Sequence, residues 1–593
     1  MVVKKKIVHR KACQVALKGL SKHNLDPILP KIYASRAVSS IDEVHYTLKH
    51  LIPFSELQGV EAAAQLVFKF AERSASIVII GDFDTDGATG VAVMMLAMQR
   101  FGFKNVNFVV PNRFEHGYGV SREVIDLAID RYQPELIITV DSGIKDIEGI
   151  AYANEQDIQV IVTDHHMPGD QLPDAAVIVN PNAPDNEAFK SKAMAGVTVA
   201  FYVMLGLRAL LRANNWFELN DLTDPNMAEL IDLVALGTVA DVVPLDQNNR
   251  TLVFQGLMRI QKGQACVALK ALFAVAQRNI RDASSSDLGF AIAPHINAAG
   301  RLEDIEVGIR LLITHEAETA DILAARLHDL NIERRQIELG MQKEALEIVK
   351  SFVSGEQSMP EGLCLYDPNW HQGIIGILAS RMKDQFLKPT IILTQHDEDE
   401  LKGSARSIGD YDIRAMIASI AKKHPEIVLK HGGHRSAAGL TIKRSGFDVF
   451  KAEFEALAES MRTEGLDDIQ IETDGMLSDD RLTLDVAKMI REAGPWGQAF
   501  PEPCFDGVFN IVEQRIVGQR HLKLGLQPMN GYDLINAIAF NIDLKEWPNE
   551  SCHTAKIVYR LDVNEYRGMS QVQLIVLYIE PVDSAALSDS NRS

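Results

Sequence analysis

Three aspartates stand at alternate positions in Gly81-Asp82-Phe83-Asp84-Thr85-Asp86-Gly87, directly after the β-branched run Ile77–Ile80. On an extended backbone alternate side chains share a face, so three carboxylates would crowd together there. Like charges that close repel, and a divalent cation is the natural compensation; oxygen donors suit magnesium or manganese. Two later apolar runs end the same way. Leu136–Val140 ends in Asp141-Ser142-Gly143, and Ile158–Val162 ends in Thr163-Asp164-His165-His166. A further acid, Asp241, lies in the apolar stretch Ala235–Pro244, where an unpaired carboxylate would be costly and needs a cation partner. Five or more carboxylates with imidazole can hold two divalent ions about 3.5–4 Å apart, an arrangement that activates water and stabilises the leaving oxygen of a phosphoryl transfer. The chain has no GxSxG elbow, no HExxH, no Walker lysine and no GxGxxG. Metal-dependent phosphoester hydrolysis is therefore the chemistry these residues support. The competing reading of the first motif is an acidic surface loop in which Asp86 caps the following helix.

The elements that must position these groups follow from the hydrophobic pattern. Ile77–Ile80, Val106–Val110, Leu136–Val140 and Ile158–Val162 read as short buried strands, with helices near Gly87–Arg100, Arg122–Asp130 and Asp146–Gln156 between them. That alternation predicts a parallel, doubly wound sheet, whose strand ends line one ligand crevice. Helical patterns dominate from about Ala195 to Lys350, and Glu316–Lys350, free of proline, reads as one long helix or two and as a candidate connector. A second α/β segment runs from Gly362 to about Met461, with strands at Leu363–Tyr366 and Thr390–Leu393. Beyond Gly465, five strand-like runs (Val508–Val512, Leu522–Leu526, Ala537–Phe540, Lys556–Leu561, Val572–Ile579) predict a small β-barrel or sandwich. The small, polar tail after Pro581 is expected to be disordered.

The 593 residues suffice for several domains, and 47% hydrophobic with 24% charged residues exclude a disordered or fibrous chain. Five dispersed cysteines without a CxxC pair argue against a disulfide framework or a structural zinc site. The run Val91–Met98 is too short to span a membrane, and no secretory signal is evident, so a soluble cytoplasmic chain without a membrane partner is expected. The net charge of −20 opposes a nucleic-acid partner, but the charge is unevenly placed. Residues 1–50 carry ten Lys/Arg against three Asp/Glu, and residues 401–450 nine against four. Two basic islands on an acidic chain fit a phosphate-binding track, with solvated faces as the plainer alternative.

At these residues the sequence resembles the DHH phosphoesterase superfamily and, within it, the RecJ family of bacterial exonucleases specific for single-stranded DNA. The resemblance rests on GDFDTDG (81–87), VDSG (140–143), TDHH (163–166), GTVADVVPL (237–245), NAAGRL (297–302), WHQGIIGILASR (370–381), KGSARS (402–407), GGHRSAAG (432–439) and AGPWGQAFPEP (493–503), in this order over nearly the whole chain. It implies a multidomain α/β fold: a basic N-terminal extension (1–50), a parallel-sheet catalytic domain (51–302), a connector helix (303–350), a smaller DHH-associated α/β domain (351–463), a C-terminal OB-fold barrel (464–583) and a disordered tail (584–593). It implies metal ligands at Asp82, Asp84, Asp86, Asp141, His165 and Asp241, with His166 supporting the transition state or the attacking water beside Asp141 and His165. Some superfamily members carry a histidine at the position of Ile80; its absence leaves one of two metal sites a ligand short, a place Asp82 would fill.

A pocket for a 5′-terminal phosphate is implied at Arg113, Arg301, Ser404 and Arg406, guanidinium forks and a hydroxyl being apt for a phosphate dianion. Gly432 and Gly433, with His434, are the expected close backbone approach to phosphate. In the barrel, Arg515, Arg520, His521 and Lys523 form a basic stretch. Phe540, Tyr559 and Tyr566 are candidate stacking platforms, Phe540 being the one expected in the core. The implied activity is 5′→3′ hydrolysis of single-stranded DNA to 5′-mononucleotides by two metal ions, manganese or magnesium, in DNA repair and recombination. A monomer is expected, with helicase and single-strand-binding protein as implied partners. Two other readings remain open at this point: a hydrolase of short oligonucleotides, cyclic dinucleotides or pyrophosphate, and a catalytically inert DNA-binding scaffold.

Overall fold

The computed structural model describes residues 5–117, 119–354, 359–462, 470–518, 520–566 and 569–582. A short strand, β1 (Lys6–His9), opens the chain. The first sheet comprises β2 (Ile77–Gly81), β3 (Val106–Val109), β4 (Leu136–Val140), β5 (Gln159–Thr163) and β6 (Val177–Val179), all parallel in the order β3-β2-β4-β5-β6. The strand β6 is an addition to the pattern read from the sequence. Both faces of this sheet are buried, which is why its strands read as continuous apolar runs rather than alternating ones. Ile77 and Ile79 pack into one core with Val67, Val91 and Val203, whereas Val78 and Ile80 pack with Val124, Ile125 and Ile150 on the other face. From β2 the chain passes outward to β3, then crosses back to β4 on the opposite side. The strand order therefore reverses between β2 and β4, and a crevice opens at their carboxyl ends.

The helix Gly196–Ala213 is long and apolar enough to span a membrane by length and composition. It is a core helix instead, packed against the helices Val60–Glu72, Thr85–Arg100 and Ile231–Ala240. The connector Ala317–Ser354 is one continuous helix of 38 residues, about 57 Å at 1.5 Å per residue. Its first half gives Ala320, Ala324 and Leu327 to the first core; its second half gives Met341, Ala345 and Val349 to a cluster with Leu365, Trp370 and Leu378. It ties two domains together by belonging half to each.

The second sheet holds β7 (Leu363–Tyr366), β8 (Thr390–Gln395), β9 (Glu400–Arg406), β10 (Val428–His434) and β11 (Ala437–Lys443) in the order β10-β11-β9-β8-β7; only β7 and β8 run parallel. The sequence pattern predicted β7 and β8, while the glycine-containing β9, β10 and β11 escaped it. Its core is separate, built on Ile391, Leu393, Ile417 and Phe450. Next come β12 (Gln470–Thr473) and a closed five-stranded barrel of β13 (Phe505–Val517), β14 (His521–Pro528), β15 (Ile535–Ala539), β16 (Thr554–Tyr566) and β17 (Met569–Pro581), ordered β13-β14-β15-β17-β16. The tail 584–593 lies outside the described residues.

The N-terminal segment is part of this assembly. β1 pairs in parallel with β12, Lys6 opposite Gln470 and His9 opposite Thr473. Arg36 forms a two-pronged ion pair with Asp474, at 2.7 and 2.9 Å, and its Nε donates to the Pro501 carbonyl at 2.7 Å. Tyr33, Trp496 and Phe500 stack, and Leu245 N–H donates to Gln498 O at 2.8 Å. The string at 493–503 is thus a wedge joining the N-terminal helices, the first domain and the barrel, whose apolar interiors form one continuous core. Both partners of the Arg36–Asp474 pair are buried. Arg36→Met removes both prongs and leaves the buried Asp474 with Arg10 at 3.3 Å and the Cys504 N–H at 3.1 Å, and is expected to cost about 1.5–3 kcal/mol of stability. Equilibrium denaturation checks this, and a loss below about 1 kcal/mol, the worth of a surface pair, would show that the pair does not lock the wedge.

Candidate metal centre and phosphate pocket

The crevice between β2 and β4 receives one acidic group after another. Asp82 leaves the end of β2 and Asp84 caps the helix Thr85–Arg100, accepting from the N–H groups of Asp86 at 2.9 Å and Gly87 at 3.1 Å. The three aspartates therefore do not lie along an extended strand, as the spacing suggested. A strand end, a helix cap and a first helical turn bring them together, because helix formation begins at Thr85. Asp84 is the cap, in place of Asp86. The Asp86 carboxylate instead accepts from the N–H groups of Gly196 at 2.7 Å and Val197 at 2.9 Å, at the N-terminus of the helix Gly196–Ala213. There the helix dipole favours a negative group. Gly196 is required: a Cβ at that position would stand 2.6 Å from Asp141 Cβ.

Asp141 follows β4 with φ +62°, in the left-handed region. Asp164 follows β5 and is held by the Ile144 N–H at 3.0 Å; its other oxygen takes the N–H groups of His165 and His166 and the His166 ring Nδ1 at 2.8 Å. Asp164 is thus the anchor of the motif, and the two histidines project from it. Asp241 caps the end of the helix Ile231–Ala240, and the next residue, Val242, carries φ +61°, a costly conformation for a β-branched side chain.

These segments bring all six expected ligands into one site. Donor atoms of Asp86, His165 and Asp241 lie within 4.8 Å of one another, as do those of Asp82, Asp84 and Asp141, and those of Asp141, His165 and His166. His165 Nε2 stands 3.0 Å from Asp141 Oδ1 and 3.5 Å from Asp241 Oδ2. Among the described residues, neither His165 Nε2 nor Asp141 Oδ1 has a hydrogen-bond partner, and Asp82 Oδ1 has none either, although all three are buried. The far side of the His165 ring meets the Met194 backbone. Buried lone pairs without donors, converging on common points, fit divalent cations. Asp82 sits with Asp84 and Asp141, the place proposed for the ligand missing at Ile80, whose own side chain is in the apolar core.

The electrostatics agree. Burial, then the neighbouring Asp84 charge, push Asp82 well above the usual carboxylate range and Asp86 up to about 7. Burial and then Asp86 raise Asp141 and bring Asp241 up to about 9. Burial and the adjacent His166 lower His165 to about 4, so its lone pair is free at neutral pH. For His166, burial opposes the charged form, but the Asp164 hydrogen bond and nearby carboxylates outweigh it and raise the ring above its usual value.

Beside this centre lies a row of guanidinium groups. Arg113 lies over the Phe83 ring, 4.1 Å from its centre, facing the charges of Asp82 and Asp84; its buried Nε has no hydrogen-bond partner among the described residues. Arg301 comes next, donating to the Gly373 carbonyl at 3.1 Å. Burial and the neighbouring Arg113 lower its pKa to about 9. Arg406 donates to Ser404 Oγ at 3.0 Å. Arg301, Gly376 and Arg406 line a cavity of about 230 Å³. Gly432 and Gly433 belong to the exposed strand β10, and Gly432 has open space where a Cβ would be. His434, at the tip of the β10–β11 hairpin, is lowered by burial and then by the charges of Arg406, Lys145 and His166, so it feels both the phosphate pocket and the metal centre.

Several supporting residues were not predicted. Asn180 and Asn182, just after β6, donate to the carbonyls of His166 at 2.9 Å and His165 at 2.6 Å. Asn297 Oδ1 accepts from Thr85 N–H at 2.9 Å and holds the start of the first-motif helix. The Asn-Pro-Asn string after a short apolar run was the available signal. In the barrel, the aromatic expectations reverse. Tyr559 is 1% exposed and packs edge-on against Phe509, so it is core, because β16 turns it inward. Phe540 is 53% exposed and lies edge-on to His521, so it is the surface ring of the pair. The side chain of Tyr566 lies outside the described residues.

Carboxylates with raised pKa values bind protons in the fold at pH values where the unfolded chain has released them. Their contribution is full below the unfolded value near 3.8 and is lost as pH rises through about 7 and about 9. Metal-free protein is therefore expected to lose thermal stability between pH 5 and 9, and manganese to restore more of it at pH 9 than at pH 6, with proton release on binding. Scanning calorimetry with and without metal reads both; a metal-induced shift independent of pH would contradict the assignment.

Three family models match the chain in order: the DHH family N-terminal domain over residues 76–238, the DHHA1 domain over 360–460 and the RecJ OB domain over 473–578. The single-stranded-DNA-specific exonuclease RecJ of Escherichia coli is 46% identical over 558 residues, 94% of this chain and 96% of its own. The crystal structure of RecJ in complex with Mn2+ from Thermus thermophilus matches with a TM-score of 0.79 at 26% identity, covering 98% of this chain and 80% of that one. The Mg2+ complex of the same protein shares the fold at a TM-score of 0.73 and 24% identity, covering 98% and 79%. With that identity over nearly the whole length, and all three domains present in order, the chain belongs to the RecJ family of the DHH superfamily.

Proposed function

We propose that this chain is a 5′→3′ exonuclease that hydrolyses single-stranded DNA to 5′-mononucleotides, with manganese or magnesium as cofactor. The observation that carries the reading is the adjacency of two sites: six converging metal-ligand side chains and, next to them, the row Arg113, Arg301 and Arg406. The row suits a terminal phosphate, and its distance from the acids sets which phosphodiester meets the centre. Asp82, Asp84, Asp86, Asp141, His165 and Asp241 would hold the cations, which when bound supply Lewis acidity, a more acidic water and charge neutralisation at the phosphoryl oxygens.

The chain's own groups do the rest. Asp164 fixes the His166 ring through Nδ1 at 2.8 Å, so the opposite edge presents a proton to the scissile phosphate or its leaving oxygen. Ser404 accepts from Arg406 and steadies its fork for the terminal phosphate. The hairpin carrying Gly432, Gly433 and His434 comes from the second domain, and with the first domain it would admit a single strand and exclude a duplex. The exposed ring of Phe540, beside His521, is a stacking surface for bases on the 3′ side of the scissile bond. Action in cytoplasmic DNA repair and recombination, as a monomer working with a helicase and a single-strand-binding protein, completes the proposal.

The test is digestion, with manganese, of a 5′-phosphorylated, 3′-labelled single strand beside a blunt duplex. Unlabelled mononucleotides are expected before the label, from the single strand only; release of label first would refute the polarity. Asp141→Ala is expected to lower the rate about 100- to 1,000-fold, the scale of losing a main electrostatic contact to the transition state. Phe540→Ala is expected to weaken strand binding by about 1–3 kcal/mol in a fluorescence titration, with release of the first nucleotide intact at saturation. Unchanged affinity would remove Phe540 from the track.

A further inference from the structure

The cavity around Arg301 and Arg406 does not end there. It adjoins a groove of about 470 Å³, the two sharing Arg301, Ile377 and Arg381. The groove runs between the helix Ala293–Leu302, the connector and the helix Ile375–Phe386, and neither the metal cluster nor the β10–β11 hairpin lines it. Arg334, Arg335 and Arg381 form its basic wall. The buried Glu338 accepts from Arg334 at 2.6 Å and from Arg381 at 2.9 Å, fixing two forks while neutralising a single charge. At the far end is Phe290, 81% exposed on a π-helical turn, Leu288–Ile292, a local geometry frequent at functional sites. Fixed guanidinium groups followed by an open aromatic face suit an anion that carries a flat ring. The volume lies in the range of about 300–1,000 Å³ typical of small-ligand sites.

We propose that this groove binds a nucleoside 5′-monophosphate and is the route by which the cleaved mononucleotide leaves. The proposal rests on the exonuclease reading above. Hydrolysis adds water across the phosphodiester: the phosphorus gains oxygen, the 3′-oxygen leaves with a proton, and the first nucleotide keeps its own phosphate among Arg301 and Arg406. The shortened strand fills the entry on the hairpin side. The groove offers that phosphate a relay of cations away from the metals, Arg301 to Arg381 to Arg335, and gives the base a platform at Phe290.

The test uses the full chain and the double variant Phe290→Ala/Arg335→Ala, both residues being exposed and outside the catalytic machinery. The probes are dAMP, deoxyadenosine and inorganic phosphate. In calorimetry without metal, the wild type is expected to bind dAMP more tightly than either fragment, and the double variant about tenfold more weakly than the wild type. With manganese, single-turnover release of the first nucleotide is expected to be unchanged, steady-state digestion of a long strand to slow several-fold, and inhibition by added dAMP to weaken. Equal dAMP binding by variant and wild type overturns the proposal. So does a loss of single-turnover release, which would make the groove part of substrate binding. Indifference of the wild type to a 5′-phosphate refutes the phosphate-pocket reading instead, while the calorimetric comparison still decides the groove.

Discussion

Everything in the first domain answers to one cost: several carboxylates are held together away from water. Burial and mutual repulsion raise four of them, and the fold compensates only in part. Asp84 and Asp86 accept backbone N–H groups at two helix starts, whereas Asp82 and Asp141 each keep a buried oxygen without a donor. A protein built for stability alone would pair or remove those oxygens. Leaving them bare, facing an imidazole lone pair, is sensible only if cations complete the set, and the manganese- and magnesium-bound relatives share this fold.

The arrangement is kept in place by backbone rather than by side-chain networks. A parallel sheet delivers three strand ends to one edge, and the reversal of strand order opens the space between them. Two of the converging carboxylates border left-handed residues, Asp141 itself and Val242 after Asp241, so local strain is carried where these acids turn into the site. The second domain has its own core and meets the first at the phosphate pocket, where Arg301 donates to the Gly373 carbonyl and shares a cavity with Arg406. Two modules joined by a shared helix can form a passage whose walls come from both.

The sequence made the chemistry more legible than its supports. Acids at strand ends announce themselves because charge in apolar surroundings is rare, and the sheet follows from runs such as Leu136–Val140. What escaped was set by tertiary context. β6 is only three residues long, β10 is almost wholly exposed, and β9 and β11 alternate in burial but place small residues such as Gly403, Ala405 and Ala438 on the inner face, where apolar character is faint. Whether Asp84 or Asp86 capped the helix depended on where the first turn began. Phe540 and Tyr559 could not be sorted into surface and core without the barrel's pleat. Asn180, Asn182 and Asn297 act through their neighbours' backbone, so the strings that contain them, Asn-Pro-Asn and NAAGRL, do not by themselves say what they hold. The string at 493–503, read together with the catalytic motifs, is a joint: Trp496 and Phe500 stack on Tyr33, far from the acids in chain order.

The pairing of β1 with β12 bears on how the molecule is made. The strand synthesised first has its partner near residue 470. At about 5–20 residues per second, it stays unpaired on the ribosome for on the order of 20–90 s. An unpaired strand edge invites wrong partners, and charge is the usual protection. Lys5, Lys6, Arg10 and Lys11 crowd this strand. Those charges therefore bear on more than a phosphate: like charge along the strand opposes pairing with a wrong partner until the residues near 470 emerge to claim it.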